Sequence, residues 1–391
     1  MIRIILLLIM IAMISFLVAS RNKKRKKGWA IAILVISTLL FALCMVPTIM
    51  KMNYKERPTT GEYQHEEASA ILIDPSRIES FETDGSFREV PVHFYFPEHI
   101  DQMEEKSLPL VIFSHGAFGY YQSNSSTYME LASHGYVVVS LDHPYHSFFT
   151  KDSKGKTVIV NSDFFKTALD IGGSDVPEAE IYDTTSRWMD LRIADMNFVV
   201  DELQAAAVLG EPTGNWHVDD KFNDLICDVL KATDYEKIGL MGHSLGGATA
   251  VTVGRRADIS AVIDLDGTML GEEKGVQDGV VLINEDPYPN PILAIENEEH
   301  HDQEMAAIEN SYAYANNVVM KNALCGYETY FKDAGHMNFT DLPLIAPPLA
   351  DMLGTGPVDA GECIDTMNGI ILNFFDCYLK GIGTFSVQES Y

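Results

Sequence analysis

Six short stretches of this chain are apolar almost without a break: LPLVIFSHG at 108–116, YVVVSLDHP at 136–144, KIGLMGHS at 237–244, ISAVIDLDG at 259–267, PILAIENE at 291–298 and YETYFKDAGH at 327–336. A strand with one wet face alternates apolar and polar residues. Runs that do not alternate are buried on both faces, as in a parallel sheet covered by helices. Helical patterns lie between them. In RWMDLRIADMNFVVDEL, Met189, Ile193, Met196, Val200 and Leu203 form an apolar stripe, with charges on the other face. NGIILNFFDCYLKG is a second amphipathic helix, closed by Lys380-Gly381. Strands alternating with helices predict a mostly parallel, doubly wound α/β domain over 68–391 with helices on both faces. The alternation on either side of Thr83-Asp84-Gly85-Ser86 adds an antiparallel hairpin at the sheet edge. Segments 151–180 and 337–364 do not fit the alternation and are candidate walls or lids over a site.

The first fifty residues are of a different composition. IILLLIMIAMISFLVAS is followed by RNKKRKK and then by a charge-free run from Gly28 to Met50. Two apolar runs of this length around a basic loop predict a transmembrane hairpin over 1–51, followed by a polar linker over 52–67. Positive charge in the loop keeps it cytoplasmic, giving a multi-pass protein of the cell membrane with its catalytic domain facing outward. Cleavage of a signal peptide near Ser20 is the rival reading. Eight of the 28 Lys and Arg residues fall in 1–51, which has no Asp or Glu, so the remaining twenty face all 56 acids. So acidic a body repels phosphate backbones, and nucleic acid is excluded as a partner. Five cysteines in 391 residues are no disulfide framework, and the pairing of Cys227, Cys325, Cys363 and Cys377 stays open.

The chemistry centres on GLMGHSLGGATA, residues 239–250. Glycines flank Ser244 on both sides, a strand-like KIGLM precedes it and small residues follow; a nucleophile at a sharp strand-to-helix turn requires that setting. A serine hydroxyl needs a base, and the base an orienting acid. His336, after the last strand, is the candidate base. For the acid, Asp264 and Asp266 follow one strand and Glu296 and Glu298 the next, with Asp266 nearer the strand end where sites form. Spacing alone leaves Asp266 and Glu298 both open. The oxyanion donors are the N–H groups of Leu245, after the nucleophile, and Ala117, in the glycine turn FSHGAFG. His115 and His143 read as structural supports, and His300 and His301 as a solvated helix start rather than metal ligands. Phe118, Tyr120, Tyr121, Phe148 and Phe149 suit either an acyl-binding mouth or a packed core.

Together, VIFSHGAFG, LASHGYVVVSLDHP, GHSLGG, DLDG and HMNFTD resemble the blocks of the platelet-activating-factor acetylhydrolase family, secreted or lipoprotein-associated type, from about Arg88 to Lys380. The resemblance implies an α/β-hydrolase fold and a serine ester hydrolase that needs no cofactor and no metal. It carries the nucleophile onto Ser244, the acid onto Asp266, the base onto His336 and the oxyanion donors onto Ala117 and Leu245. Short carboxylic esters, phospholipid esters among them, are the implied substrates. The stretch from Asp266 to His336 is longer than the family pattern, which keeps Glu298 as the alternative acid in a cutinase-like arrangement. A non-catalytic binding module on the same fold is the reading outside the enzyme class.

Overall fold

The computed structural model describes residues 2–19, 28–49, 56–171, 176–310, 312 and 314–391. Nine strands form one sheet: β1 (His65–Ile78), β2 (Phe87–Pro97), β3 (Leu108–Ser114), β4 (Val137–Leu141), β5 (Trp216–Val218), β6 (Thr233–His243), β7 (Ala261–Leu265), β8 (Ile292–Asn297) and β9 (Gly326–Phe331). Their spatial order is β9-β8-β7-β6-β3-β4-β2-β1-β5. From β4 to β9 every pairing is parallel, whereas β1, β2 and β5 are joined antiparallel at one edge. The expected hairpin is β1–β2, and the short β5 pairs outside it.

Unbroken apolar runs became strands buried on both faces: every residue of β3, β4, β7 and β8 is buried. One apolar cluster packs the helix Glu178–Leu209 against Leu110, Ile112 and Leu240. Another packs the helix Ala360–Phe375 against Val111, Phe113 and Met241. That last helix ends in a π-helical turn, and Gly381 takes the left-handed φ of 69° at its end, where only glycine is unstrained.

The helix Glu178–Leu209 departs from a simple amphipathic pattern. Met189, Met196, Val200 and Leu203 are buried as their spacing predicts, but Arg192 and Asp195 are fully buried with them. Asp195 is compensated: Arg88 Nη2 lies 2.7 Å away, Arg77 Nη1 2.9 Å and His143 Nδ1 2.9 Å. Burial by itself raises its carboxyl, but these neighbours, Arg88 first, hold it well below the usual range.

Of the two irregular segments, 151–180 contains the second strand of a small hairpin, Phe149–Lys151 with Thr157–Ile159, and a helix Ser162–Asp170 capped by Asn161. Within the stretch read as a linker, Thr60 N–H donates to Glu130, and Gly61 lies against the Ser133 backbone. Cys227, Cys325, Cys363 and Cys377 are free thiols.

Contacts group the chain into a large unit, Glu56–Asp341 with Gly354–Tyr391, and a small one holding the amino-terminal helices with Leu342–Leu353. The helices Ile2–Ala19 and Gly28–Ile49 meet at Phe16 and Trp29, rings 5.2 Å apart. The transmembrane expectation is corrected here. Among the described residues no helix is long and apolar enough to cross a membrane. The basic loop 21–27, on which the outward orientation rested, lies outside the described residues. With the hairpin go the multi-pass localisation and the membrane as a partner through these helices.

Removing Asp195 leaves Arg88 buried without its strongest partner. Asp195→Ala should therefore lower unfolding free energy by about 3–5 kcal/mol, measured by urea denaturation. A loss below ~1 kcal/mol would show that this network does not hold the helix to the sheet.

Candidate active site

β6 runs straight into the helix Leu245–Val253, and Ser244 at the junction has φ 56° and ψ −127°. A non-glycine residue there is strained by about 1–3 kcal/mol, so the surroundings must enforce it. They do so by leaving no room. A Cβ on Gly242 would come within 2.2 Å of the Gly246 backbone, and one on Gly246 within 1.9 Å of the Ser114 carbonyl. Gly116, from the turn after β3, comes so close that its Cβ would meet that of Ser244 at 3.0 Å. The Ser244 N–H is tied to Leu265 O at 2.9 Å.

Asp266, just past β7, is also at positive φ, 54°, and is buried. Its Oδ2 lies 2.6 Å from His336 Nδ1 and accepts Asn297 Nδ2 at 2.6 Å. Its Oδ1 accepts the Asn297 backbone N–H at 2.8 Å and faces His300 Nδ1 at 3.2 Å. Burial alone pushes the carboxyl up, but hydrogen bonds from His300 and His336 outweigh it and hold Asp266 well below the carboxylate range. His243 donates from Nε2 to the His336 carbonyl at 3.0 Å and is pushed down to about 3, chiefly by burial. It therefore supports the His336 backbone as a neutral ring.

The other acids lie elsewhere. Glu298 opens the helix Glu298–Glu309 and accepts the Asp333 N–H at 3.0 Å; His336 bonds Asp266. Asp264 accepts the Gly267 N–H, and burial, then Glu296 and Asp266, raise it well above the usual range. Glu296 is raised likewise, by burial first and Glu304 next.

Leu245 is the first residue of its helix, so its N–H has no carbonyl within the helix to donate to. Ala117 sits in a loop held from behind by Arg192, whose guanidinium donates to His115 O at 2.7 Å and Gly116 O at 3.2 Å. Burial pushes this arginine down to about 9. Phe118, at φ 60°, follows Ala117 and donates its N–H to His146 O. His115 and His143 are buried supports, bonded to Ser147 Oγ and Asp195 respectively.

Ser244, Leu245, Asp266 and His336 line one cavity of about 320 Å³, as do Gln303 and Tyr314. Phe118 packs beside it with Ala117, Leu245 and Phe164, whereas Tyr121 and Phe149 line a separate groove. Sequence reasoning missed three residues here. His300, read as solvated, is buried against Asp266; Asn297 and Arg192 carried no motif at all. The one sequence signal for His300 is that Asn297, an N-cap residue, places it at the third helical position, facing back toward the strand ends.

His146 lies under this site, buried and stacked on Phe164 at 3.8 Å, with Nδ1 unpartnered. Burial first, and Arg192 next, hold it neutral far below its ordinary value. An unfolded chain protonates it near 6.5, so it takes stability away as pH falls below that value. His146→Phe lacks this loss. Relative to wild type, its unfolding free energy should rise by about 1.4 kcal/mol for each pH unit below roughly 6.5, read by urea denaturation at several pH values. A difference independent of pH would mean that the native site admits the proton.

The family model described as platelet-activating factor acetylhydrolase, isoform II, matches residues 88–385. A platelet-activating factor acetylhydrolase from Bos taurus is 25% identical over 289 residues, 69% of this chain and 57% of the bovine protein. The chain thus spans a little over half the length of that relative. Among solved structures, a ferulic acid esterase from Streptomyces cinnamoneus is similar with a TM-score of 0.58 at 20% identity, covering 84% of this chain and 94% of that one. This likeness shows the α/β-hydrolase fold.

Proposed function

Because this chain belongs to the platelet-activating factor acetylhydrolase isoform II family, we propose that it is a serine hydrolase of short carboxylic esters, acetyl esters of phospholipids among them. The observation that carries the reading is the 2.6 Å bond from His336 to a buried, ionised Asp266, in the same cavity as Ser244 at its strained turn. Ser244 Oγ attacks the ester carbonyl while His336 Nε2 takes its proton. Asp266 on Nδ1 fixes the tautomer and stabilises the imidazolium. The Leu245 and Ala117 N–H groups receive the oxyanion, and His336 returns the proton to the departing alcohol. Water then repeats the cycle on the acyl-enzyme.

The cavity, about 320 Å³, is at the small end for ligand sites, and the bovine relative is named as an acetylhydrolase.

Initial rates on p-nitrophenyl esters from acetyl to palmitoyl, and on a phospholipid carrying an sn-2 acetyl group, test this. Wild type should prefer the acetyl ester. Ser244→Ala and Asp266→Asn should each lower kcat by about 10⁴-fold or more, with folding intact by circular dichroism. Glu298→Gln should stay within about threefold of wild type, since its carboxylate serves Asp333. Activity retained in Ser244→Ala would overturn the reading, and loss confined to Glu298→Gln would move the acid to that residue.

A further inference from the structure

Asp266 is divided between two histidines. Its Oδ2 serves His336, while its Oδ1 faces His300 Nδ1 at 3.2 Å, with the Asn297 N–H beside it. His300 is buried, and its own backbone N–H is capped by Asn297 Oδ1 at 2.9 Å. On its other side Nε2 lies 2.7 Å from the Tyr314 hydroxyl, which is also 3.2 Å from Thr268 Oγ1.

That hydroxyl settles where the ring proton sits. Burial keeps the Tyr314 phenol protonated, so it can donate to Nε2 of a neutral His300 and leave the only ring proton on Nδ1, toward Asp266. Should His300 take a second proton, the Tyr314 oxygen accepts from Nε2–H and turns its own proton to Thr268. Nδ1–H stays on Asp266 in either state. Asp266, Glu296, Glu304 and Tyr314 are the titratable groups facing this ring, with His336 across Asp266. Burial lowers the proton affinity of His300, and Asp266 with Glu296 more than restores it.

Resting on the triad reading above, we propose that His300 is a positioning residue for the catalytic acid: with Tyr314 fixing its tautomer, it pins Asp266 Oδ1 and thereby aims Oδ2 at His336. Without it, Oδ1 keeps only the Asn297 N–H and Oδ2 the Asn297 side-chain amide, so the carboxylate is held toward the base by one donor fewer. A metal role competes for the same ring. Glu296, His300 and Glu304 each offer an atom within 4.8 Å of the others, and Glu304 Oε1 is buried without a partner. Both His300 nitrogens are already engaged, however. Burial first, with Glu328 and Asp264, pushes Glu304 up to about 7.

The experiment compares the full chain with His300→Leu, His300→Asn and Tyr314→Phe, reading kcat and KM on p-nitrophenyl acetate between about pH 5 and 9. Labelling by a fluorophosphonate and Ser244→Ala run alongside, so an inactive, unlabelled wild type sinks the triad reading rather than this one. His300→Leu should lower kcat by about 10- to 100-fold with KM little changed. Its acid limb should move to higher pH, because the His300 hydrogen bond is the largest of those that hold the Asp266 carboxyl down, and losing it raises that carboxyl. His300→Asn, whose amide still donates to Asp266, should recover kcat to within about fivefold of wild type, and Tyr314→Phe should fall between.

An unchanged kcat and pH limb in His300→Leu overturns the proposal. So does an equal loss in the leucine and asparagine variants that follows their thermal stability, which makes the residue merely structural. Stoichiometric Zn²⁺ in the purified protein, with activity lost to EDTA and restored by Zn²⁺, would make His300 a ligand instead and overturn it as well.

Discussion

The candidate site depends on three backbones meeting where no side chain fits. Gly246 lies against the Ser114 carbonyl, Gly242 against Gly246 and Gly116 against Ser244. This contact joins β3, β6 and the helix Leu245–Val253, and it forces Ser244 into a conformation that a serine left to itself avoids. The same approach brings the turn with Ala117 beside Ser244. Widening any of these contacts by one methyl group would separate the Ala117 loop from Ser244, so the geometry of the candidate site rests on packing.

Charge is handled differently at the two ends of the site. Beneath the loop with Ala117, Arg88, Arg77 and His143 surround Asp195, while Arg192 turns its guanidinium to carbonyl oxygens. Behind the base, buried carboxyl groups outnumber cations. Asp264, Glu296 and Glu304 are pushed toward their neutral forms by burial and by one another, and only Asp266 is held ionised. What separates Asp266 is its number of donors: two from Asn297 and one from each of two histidines. Burial penalises a carboxylate only until hydrogen bonds replace its water.

Much of this was legible in the chain, and for local reasons. Unbroken apolar runs announced strands covered on both faces, and β3, β4, β7 and β8 are such strands. The Gly-x-Ser-x-Gly turn was readable because backbone conformation is a neighbour-to-neighbour matter. Arg192 and Asp195 were misassigned to the wet face of their helix, since periodicity records where charges fall and not whether a partner waits in the core. His300 was misread for the same reason: in ENEEHHDQE it has the look of a surface residue, and its partners Asp266 and Tyr314 come from other elements. The amino-terminal helices exist as drawn from the apolar runs, but the membrane crossing inferred from them does not hold among the described residues.

The sequence by itself determined the α/β alternation, the strained turn at Ser244 and the set of acids that could serve His336, because each is written in short-range patterns of glycine, apolar residues and charge. Only the tertiary structure shows which of these carboxylates faces His336. Asp266 and Glu298 stand at the ends of neighbouring strands, and nothing along the chain says which way each carboxylate points. The fold turns Glu298 to the Asp333 backbone and Asp266 to His336, because donors from β8 and the helix after it converge on Asp266 alone.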